Sequence, residues 1–462
     1  MTLSAETQDI LIPGNEIDKM SHRRHRGIAA AALSAFLGKG ANLLVSAATV
    51  PITTRYLGSE GYGLWMTISS TVALFFVLDI GISTTLTNLI SEAYAKSDRT
   101  GAASYFATAF WVLLGIATCL GIVGWIIWPQ IHWVSIFHVQ DPAVAYNTSR
   151  AVAAAFVVFL LALPTGLVSK VLGGYQELHA ANLFATGGSA LSFLVVLAVV
   201  YFHGSLPVLV AGFAGSAVAA NVACLFWMCF SHKPWMKPRL KRVKPSLIGR
   251  ILRSGFQFFA VQLAVLIVFS SDNLIISHFL GPAQVTPYAV TWRLVSYIAA
   301  VQTLIFPALW PAYSEAFANR DLPWIRTTYS RVRRITIIVL TIGCSMTLLA
   351  GRNMIRLWAG SAAVPEMKLI WLMCAWIVIY AFATNQLCLM VATYRVGKQA
   401  ISALAAAVVN LLLSVLWVKT MGPPGVVLAT IVSYVVFIIV VQTWEVRKIL
   451  HGDFSSGADK II

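Results

Sequence analysis

Apolar residues run through this chain in long continuous stretches rather than in ten-residue alternations with polar ones. Twelve such stretches stand at 28–54, 62–85, 103–127, 149–170, 182–202, 206–230, 254–279, 285–310, 333–357, 366–393, 400–419 and 424–445. Each approaches or exceeds the twenty or so residues that carry a helix across a hydrocarbon core of roughly 30 Å. Lipid offers the backbone no hydrogen-bond partners, so a spanning segment must be a helix or part of a closed barrel. Continuous runs exclude the barrel and predict an all-α polytopic membrane protein. Composition agrees: 58% of the 462 residues are hydrophobic and 11% charged, against about 25% charged in a soluble domain.

The polar breaks set orientation. With twelve spans, both termini share a side, and 25 of the 33 Lys and Arg residues fall there. Six lie opposite, and Lys39 and Arg293 lie inside spans. Positive charge accumulates on the cytoplasmic face, so both ends are expected there. The same asymmetry accounts for the net charge of +16 without a nucleic-acid partner, and none is expected. Residues 1–27 read as a basic, disordered cytoplasmic tail without the layout of a signal peptide. The longest polar break, 231–253, sits near the midpoint and divides an N half (28–230) from a C half (254–446), followed by a tail over 447–462. Six cysteines fall within spans without metal-ligand spacing, and no phosphate loop or nucleophile motif is present, so neither enzymatic chemistry nor a cofactor is expected.

The halves echo each other. "RYLGSEGYGLW" follows the first span and "HFLGPAQVTPY" the seventh, aligned without a gap at an offset of 223 residues. Two six-helix halves in one orientation imply a pseudo-two-fold axis along the membrane normal. The stretch over 50–98, opening "VPITTRYLGSEGYGLW", resembles the N-terminal region of polysaccharide-transport flippases, the Wzx type, in the MOP (MATE-like) superfamily. "SDNLIISHFLGPAQVTPYAV" resembles the matching second-half region, where an aspartate precedes the turn. The usual second-half turn carries a glycine where Thr286 and Pro287 stand here, which bears on the local turn shape. The resemblance implies two lobes in a V around a central cavity that opens alternately to each side of a bacterial inner membrane. It also implies a cargo of polyprenyl-diphosphate-linked oligosaccharide.

Four ionisable residues lie well inside spans: Lys39, Asp79, Asp272 and Arg293. Each costs about 2.5–3.5 kcal/mol at a helix centre on insertion scales, so each is a functional candidate. Counting from the Leu-Gly turns puts Lys39 and Asp79 roughly 30 Å away and Asp272 and Arg293 about 15 Å away, an acid and a base per half at matched depth. Two readings stay open. The pairs Lys39–Asp79 and Arg293–Asp272 are internal ion pairs, or the cations meet a diphosphate while the carboxylates act as countercharge or carry a coupling H+ or Na+. Arg293 suits oxyanions through its planar fork. Lys39 is flanked by Gly38 and Gly40, which leave room for close approach. Polar residues such as Asn42, Ser46, Thr49, Ser70, Gln262, Gln302, Asn385 and Asn410 either line a wet lumen or bond between helices. Pro51 ends span 1 and Pro307, with Pro311, ends span 8; each removes a helix hydrogen bond and is a candidate gate or a static kink.

The reading is a lipid-linked oligosaccharide flippase whose partners are that cargo and membrane lipids. Its rivals are a cation-coupled multidrug exporter on the same fold and a peptidoglycan-precursor flippase. The exporter would want an acidic pocket, whereas the buried charges here balance. The precursor flippase usually carries extra spans.

Overall fold

The computed structural model describes the backbone of residues 14–453 apart from Ile80, Tyr394 and Val396; side chains over 14–37 and 250–261, and at a few further positions including Pro307 and Pro311, lie outside the described residues. The N half contains α1 (Gly14–Phe75), α2 (Ile82–Ala95), α3 (Arg99–Ile127), α4 (Trp133–Ile136), α5 (Pro142–Thr165), α6 (Leu167–Gly174), α7 (Leu178–Tyr201) and α8 (Leu206–Trp227). The C half contains α9 (Pro245–Leu280), α10 (Pro282–Ala318), α11 (Leu322–Ala359), α12 (Met367–Ala392), α13 (Gly397–Met421), α14 (Pro423–Ser433) and α15 (Val440–Leu450). Nine helical stretches among the described residues are long and apolar enough to cross a membrane. The whole order is consistent with twelve spans.

Two boundaries depart from the hydropathy pattern for local reasons. The stretch 62–85 is not one helix: α1 ends at Phe75, a 3-10 turn covers Phe76–Asp79, and Gly81 takes a left-handed conformation (φ 67°, ψ 10°) before α2 starts. Asp79 accepts from the Ser83 backbone N–H at 3.3 Å and from Ser83 Oγ at 3.1 Å, satisfying groups that a helix start leaves open. At the other end, the backbone is helical from Gly14, so the tail expected over 1–27 overlaps α1, while residues 1–13 lie outside the described residues.

The repeated Leu-Gly turn is a structural repeat. Gly58 has φ 70° and ψ −177°, Gly281 φ 87° and ψ 159°, a region of backbone space open essentially to glycine alone. At these glycines the chain reverses between the first and second helical segments of each half; α1 is therefore two segments that meet at Gly58. The two turns also pack on each other. A Cβ on Gly63 would fall 1.7 Å from the Pro282 carbonyl oxygen, so glycine lets the backbones touch. Thr286 Oγ1 donates to the Ser59 carbonyl at 2.5 Å and Ser59 Oγ to the Ala283 carbonyl at 3.1 Å. Thr286, where the resembling family has glycine, thus joins the two turns, and Gly281 keeps the reversal.

Further bonds across the halves gather at this turn end. Arg55 Nη2 donates to Leu357 O at 3.1 Å, Ser277 Oγ to Phe137 O at 3.2 Å, and Trp358 Nε1 to Ala47 O at 2.8 Å. Two of the acceptors have a common origin. Proline has no N–H, so Pro51 leaves Ala47 O, and Pro287 leaves Ala283 O, without the usual donor four residues on. The opposite half fills both vacancies, with Trp358 and Ser59. The largest cluster of buried apolar side chains likewise draws on both halves, from Val50 and Tyr62 to Tyr288 and Trp376. Two other clusters, around Phe106 and Leu172 and around Tyr313 and Leu389, each belong to a single half. The halves are therefore fastened near the turns.

The basic midpoint segment is docked rather than loose. Residues 228–244 cross the N half as a strap, with Met236 fully buried, Trp111 Nε1 donating to Pro238 O at 2.9 Å and the Lys244 N–H to Thr108 Oγ1 at 3.2 Å. The strap ends where α9 begins at Pro245, a residue suited to a first helical turn. Lys233 Nζ and His232 Nε2 each lie 2.8 Å from the Glu177 carboxylate, and Lys233 also sits over the Tyr175 ring. Partial burial pushes the Glu177 carboxyl up, but the bonds from Lys233 and His232 together outweigh it and hold it below the usual carboxylate range. A depressed native pKa contributes stability that is complete above the unfolded-state value and is lost as pH falls through the native one. Strap anchoring is therefore expected to hold at neutral pH and to loosen only on acidification below the normal glutamate range. Amide hydrogen exchange over 233–244, corrected for the intrinsic rate, should show this, and Glu177→Gln should raise exchange already at pH 7.

Candidate functional site

A cavity of about 920 Å³ lies between the halves. Before Gly58, α1 contributes Asn42, Ser46, Thr49 and Thr53, spaced so that one helical face looks inward. Beyond Gly58 it contributes Tyr62, Trp65, Ser69 and Ser70. The far wall of the N half is made by Ala185, Gly188, Ser189 and Ser192 of α7 and by Ala214, Ala217 and Asn221 of α8. The C half presents Asp272 and Asn273 from α9, Tyr288, Trp292, Arg293 and Ser296 from α10, and Trp376 from α12.

Among the described lining residues, the charged ones are Asp272 and Arg293. Arg293 Nη1 donates to Ser46 Oγ of the other half at 2.7 Å, and Tyr297 OH approaches the same Oγ at 3.2 Å. Asp272 is buried, and its Oδ2 accepts from Tyr288 OH at 2.5 Å. Its Oδ1 is buried without a hydrogen-bond partner among the described residues. No salt bridge joins Asp272 to Arg293 among the described residues; each charge is held by neutral hydroxyls. Next to them, Asn273 Nδ2 donates to Ser70 Oγ at 2.7 Å, again across the halves. The cavity thus offers a guanidinium with one neutral tether, beside a carboxylate whose second oxygen is buried and unpaired among the described residues. The guanidinium can take an oxyanion.

The other expected site residues fall at varied distances from the cavity. Asn42 lines it and accepts a hydrogen bond from Ser189 Oγ. Lys39 is not among the described lining residues; it stands one turn before Asn42, where Gly38 lets α1 approach α7 so closely that a Cβ would lie 2.9 Å from Thr186 Oγ1. Asp79 sits at the break before α2 and caps it. The matched acid–base pair per half therefore does not carry into the cavity, because the break at Gly81 turns the N-half aspartate to a local structural task. Gln262 Nε2 donates to Phe76 O at 3.3 Å across the halves. Gln302 works within the C half: its Nε2 donates to Ala381 O at 3.0 Å and to Asn385 Oδ1 at 3.1 Å, as interhelical glue. Asn410 likewise donates to Thr430 at 2.9 Å. Pro51 lies at the cavity's turn end and leaves the carbonyl that Trp358 takes; the Pro307 side chain lies outside the described residues. Sequence reasoning missed the α7 and α8 wall, since serine, alanine and glycine in a span signal close packing as readily as a lumen.

The model of the family described as polysaccharide biosynthesis protein matches residues 28–317, well over half of the chain. The chain belongs to that family. A Salmonella typhi protein provisionally named an O-antigen transporter is 26% identical over 295 residues, covering 63% of this chain and 65% of its own. This polysaccharide biosynthesis family chain therefore spans just under two thirds of that relative's length. Stage V sporulation protein B of Bacillus subtilis is 22% identical over 453 residues, 89% of this chain and 84% of its own. Among solved structures, the inward-facing conformation of a multidrug resistance MATE family transporter of the MOP superfamily superposes with a TM-score of 0.75 at 16% identity, covering 90% of this chain and 96% of that one. At that identity the likeness carries the fold and nothing finer. The resemblance read from residues 50–98 agrees with this family membership, and the multi-pass helical architecture agrees with the fold of the superposed transporter.

Proposed function

We propose that this protein is a flippase that moves polyprenyl-diphosphate-linked oligosaccharide from the cytoplasmic to the outer leaflet of a bacterial inner membrane. Both termini and the strap face the cytoplasm in this reading, and the turn end faces outward. The observation that carries the reading is Arg293: a guanidinium between the halves, tethered to Ser46 and not neutralised by the nearby acid. A part-buried cation without a countercharge is costly within a membrane span, and a diphosphate supplies that countercharge through oxygens that suit a planar fork. Asp272, with one buried oxygen unpaired among the described residues, is the candidate for a coupling H+ or Na+, and the lobes rock so that the turn end and the opposite end open in turn. Kinship with proteins named for O-antigen transport favours a glycan cargo. A cationic-drug exporter on this fold would instead want acid in excess, and the lining holds one acid against one base.

The test is purified protein in liposomes with a fluorescent polyprenyl-diphosphate oligosaccharide in the inner leaflet. Arrival in the outer leaflet, read by an added glycosidase or quencher, is expected to exceed protein-free liposomes several-fold. Equal rates with and without protein would defeat the reading, as would efflux of cationic dyes with no movement of the glycan lipid.

A further inference from the structure

Neutral histidine is the commonest protein ligand of transition metals, through whichever ring nitrogen carries no proton. Two histidines of opposite halves meet at the turn end. His138 follows α4 in the N half, and His278 lies three residues before Gly281, at the end of α9. Both are exposed, and their rings stand edge to face with centres 5.3 Å apart. The backbones keep them together. Ser277 Oγ donates to Phe137 O at 3.2 Å, Phe137 is buried, and a Cβ on Gly281 would lie 3.4 Å from His138 O. The His278 ring is oriented as well, with its Nδ1 2.9 Å from Ile136 O. A carbonyl only accepts, so Nδ1 carries the proton in this bond and Nε2 keeps its lone pair. A bond of this kind behind the ring is how most metal-ligating imidazoles are aimed. Among the described residues, no hydrogen bond occupies a ring nitrogen of His138.

We propose that His138 and His278 together hold a divalent transition-metal ion, of the zinc or copper kind, which bridges the halves and keeps the turn end closed. Tetrahedral coordination with Zn–N bonds of about 2.0–2.1 Å puts two imidazole centres about 5 Å apart, close to the spacing found here. A turn of the exposed His138 ring about its side-chain bonds brings its lone pair to the same point. Imidazole suits zinc, copper and nickel, whereas calcium and magnesium take oxygen ligands. Among the described residues, no third histidine, cysteine or carboxylate completes the site, so water fills the remaining positions. The ion loses a ligand when the halves part. It therefore binds the closed end more tightly and shifts the population toward it. Ligands this far apart in the chain leave no spacing motif to read, and the site is independent of what the cavity carries.

The test titrates Zn2+ into the purified full-length protein in detergent, with the free ion read by a chromophoric indicator. Wild type is expected to bind one ion more per chain than His138→Gln/His278→Gln. Each single variant should weaken that ion by roughly tenfold or more, the loss that even a partner behind a ligand causes. His203→Gln alters an exposed histidine elsewhere in the N half and should bind as wild type does. Spin labels at Asp141 and Gln284, exposed on opposite halves, then read the turn end, with exposed Cys119 replaced. Zn2+ should shrink the long-distance population severalfold when both histidines are present, EDTA should restore it, and the double variant should not respond. Equal zinc binding by wild type and the double variant overturns the proposal. So does binding that needs only one of the two histidines, or a distance response that is the same with and without them.

Discussion

Arg293→Ala is expected to abolish translocation of the glycan lipid, by about a hundredfold or more, while the protein still inserts and folds. The guanidinium makes one described hydrogen bond to the protein, to Ser46, so its removal strands little. Charge-assisted bonds contribute about 1.5–3 kcal/mol each, and a diphosphate in a water-poor lumen would lose at least two of them together with its countercharge. Arg293→Lys keeps the charge but not the planar fork, and should recover part of the rate. Ser46→Ala should cost little, because it removes a tether and not a ligand. Outer-leaflet arrival in liposomes, with thermal unfolding as the control for folding, measures all three. Translocation at the wild-type rate by Arg293→Ala would take Arg293 out of the site.

The second large effect is expected at the turn end. Trp358 and Ser59 donate to Ala47 O and Ala283 O, carbonyls that Pro51 and Pro287 leave without helical partners. Separating the halves strands Ala47 O, whose bond is part-buried, whereas the exposed Ala283 O can turn to water, so Pro51 biases the protein toward a closed turn end. An unsatisfied buried carbonyl costs about 1–3 kcal/mol. In the Trp358→Phe/Ser59→Ala variant Ala47 O stays unsatisfied even when the end is closed, so closure loses its advantage. The open population should rise by roughly ten- to a hundredfold. Spin labels at Asp141 and Gln284, both exposed and on opposite halves, report this as a longer distance population once exposed Cys119 is replaced. Pro51→Ala should shift the distances the same way, since its new N–H competes with Trp358 for Ala47 O. An unchanged distance distribution in both variants would remove the latch.

The two Leu-Gly turns and the buried charges illustrate how far reading along the chain can go. The turns align at a fixed offset, and glycine was required because only glycine takes that backbone conformation cheaply. Arg293 and Asp272 stood out because a charge in lipid needs a reason, and both line the cavity. Lys39 and Asp79 met the same criterion and do not. Their depths matched, but depth along a helix says nothing about the direction in which a side chain turns, and the break at Gly81 redirects one of them. Gln302 and Asn410 look like lumen residues in sequence and serve as bonds within the C half. Ser189, Ala185 and Ala217 look like packing and form a wall.

Taken alone, then, the sequence determined the properties that the solvent imposes at each position: helical spans, their order and the Leu-Gly reversals. Lipid leaves the backbone few alternatives, so apolar length suffices to specify them. Only the tertiary structure decided which polar groups face one another. It separated Arg293 from Asp272, gave two proline-exposed carbonyls to the opposite half, and opened a neutral wall on α7 and α8. Those outcomes depend on how helices rotate and lean against their neighbours, and residues of one type serve equally on either side of that choice.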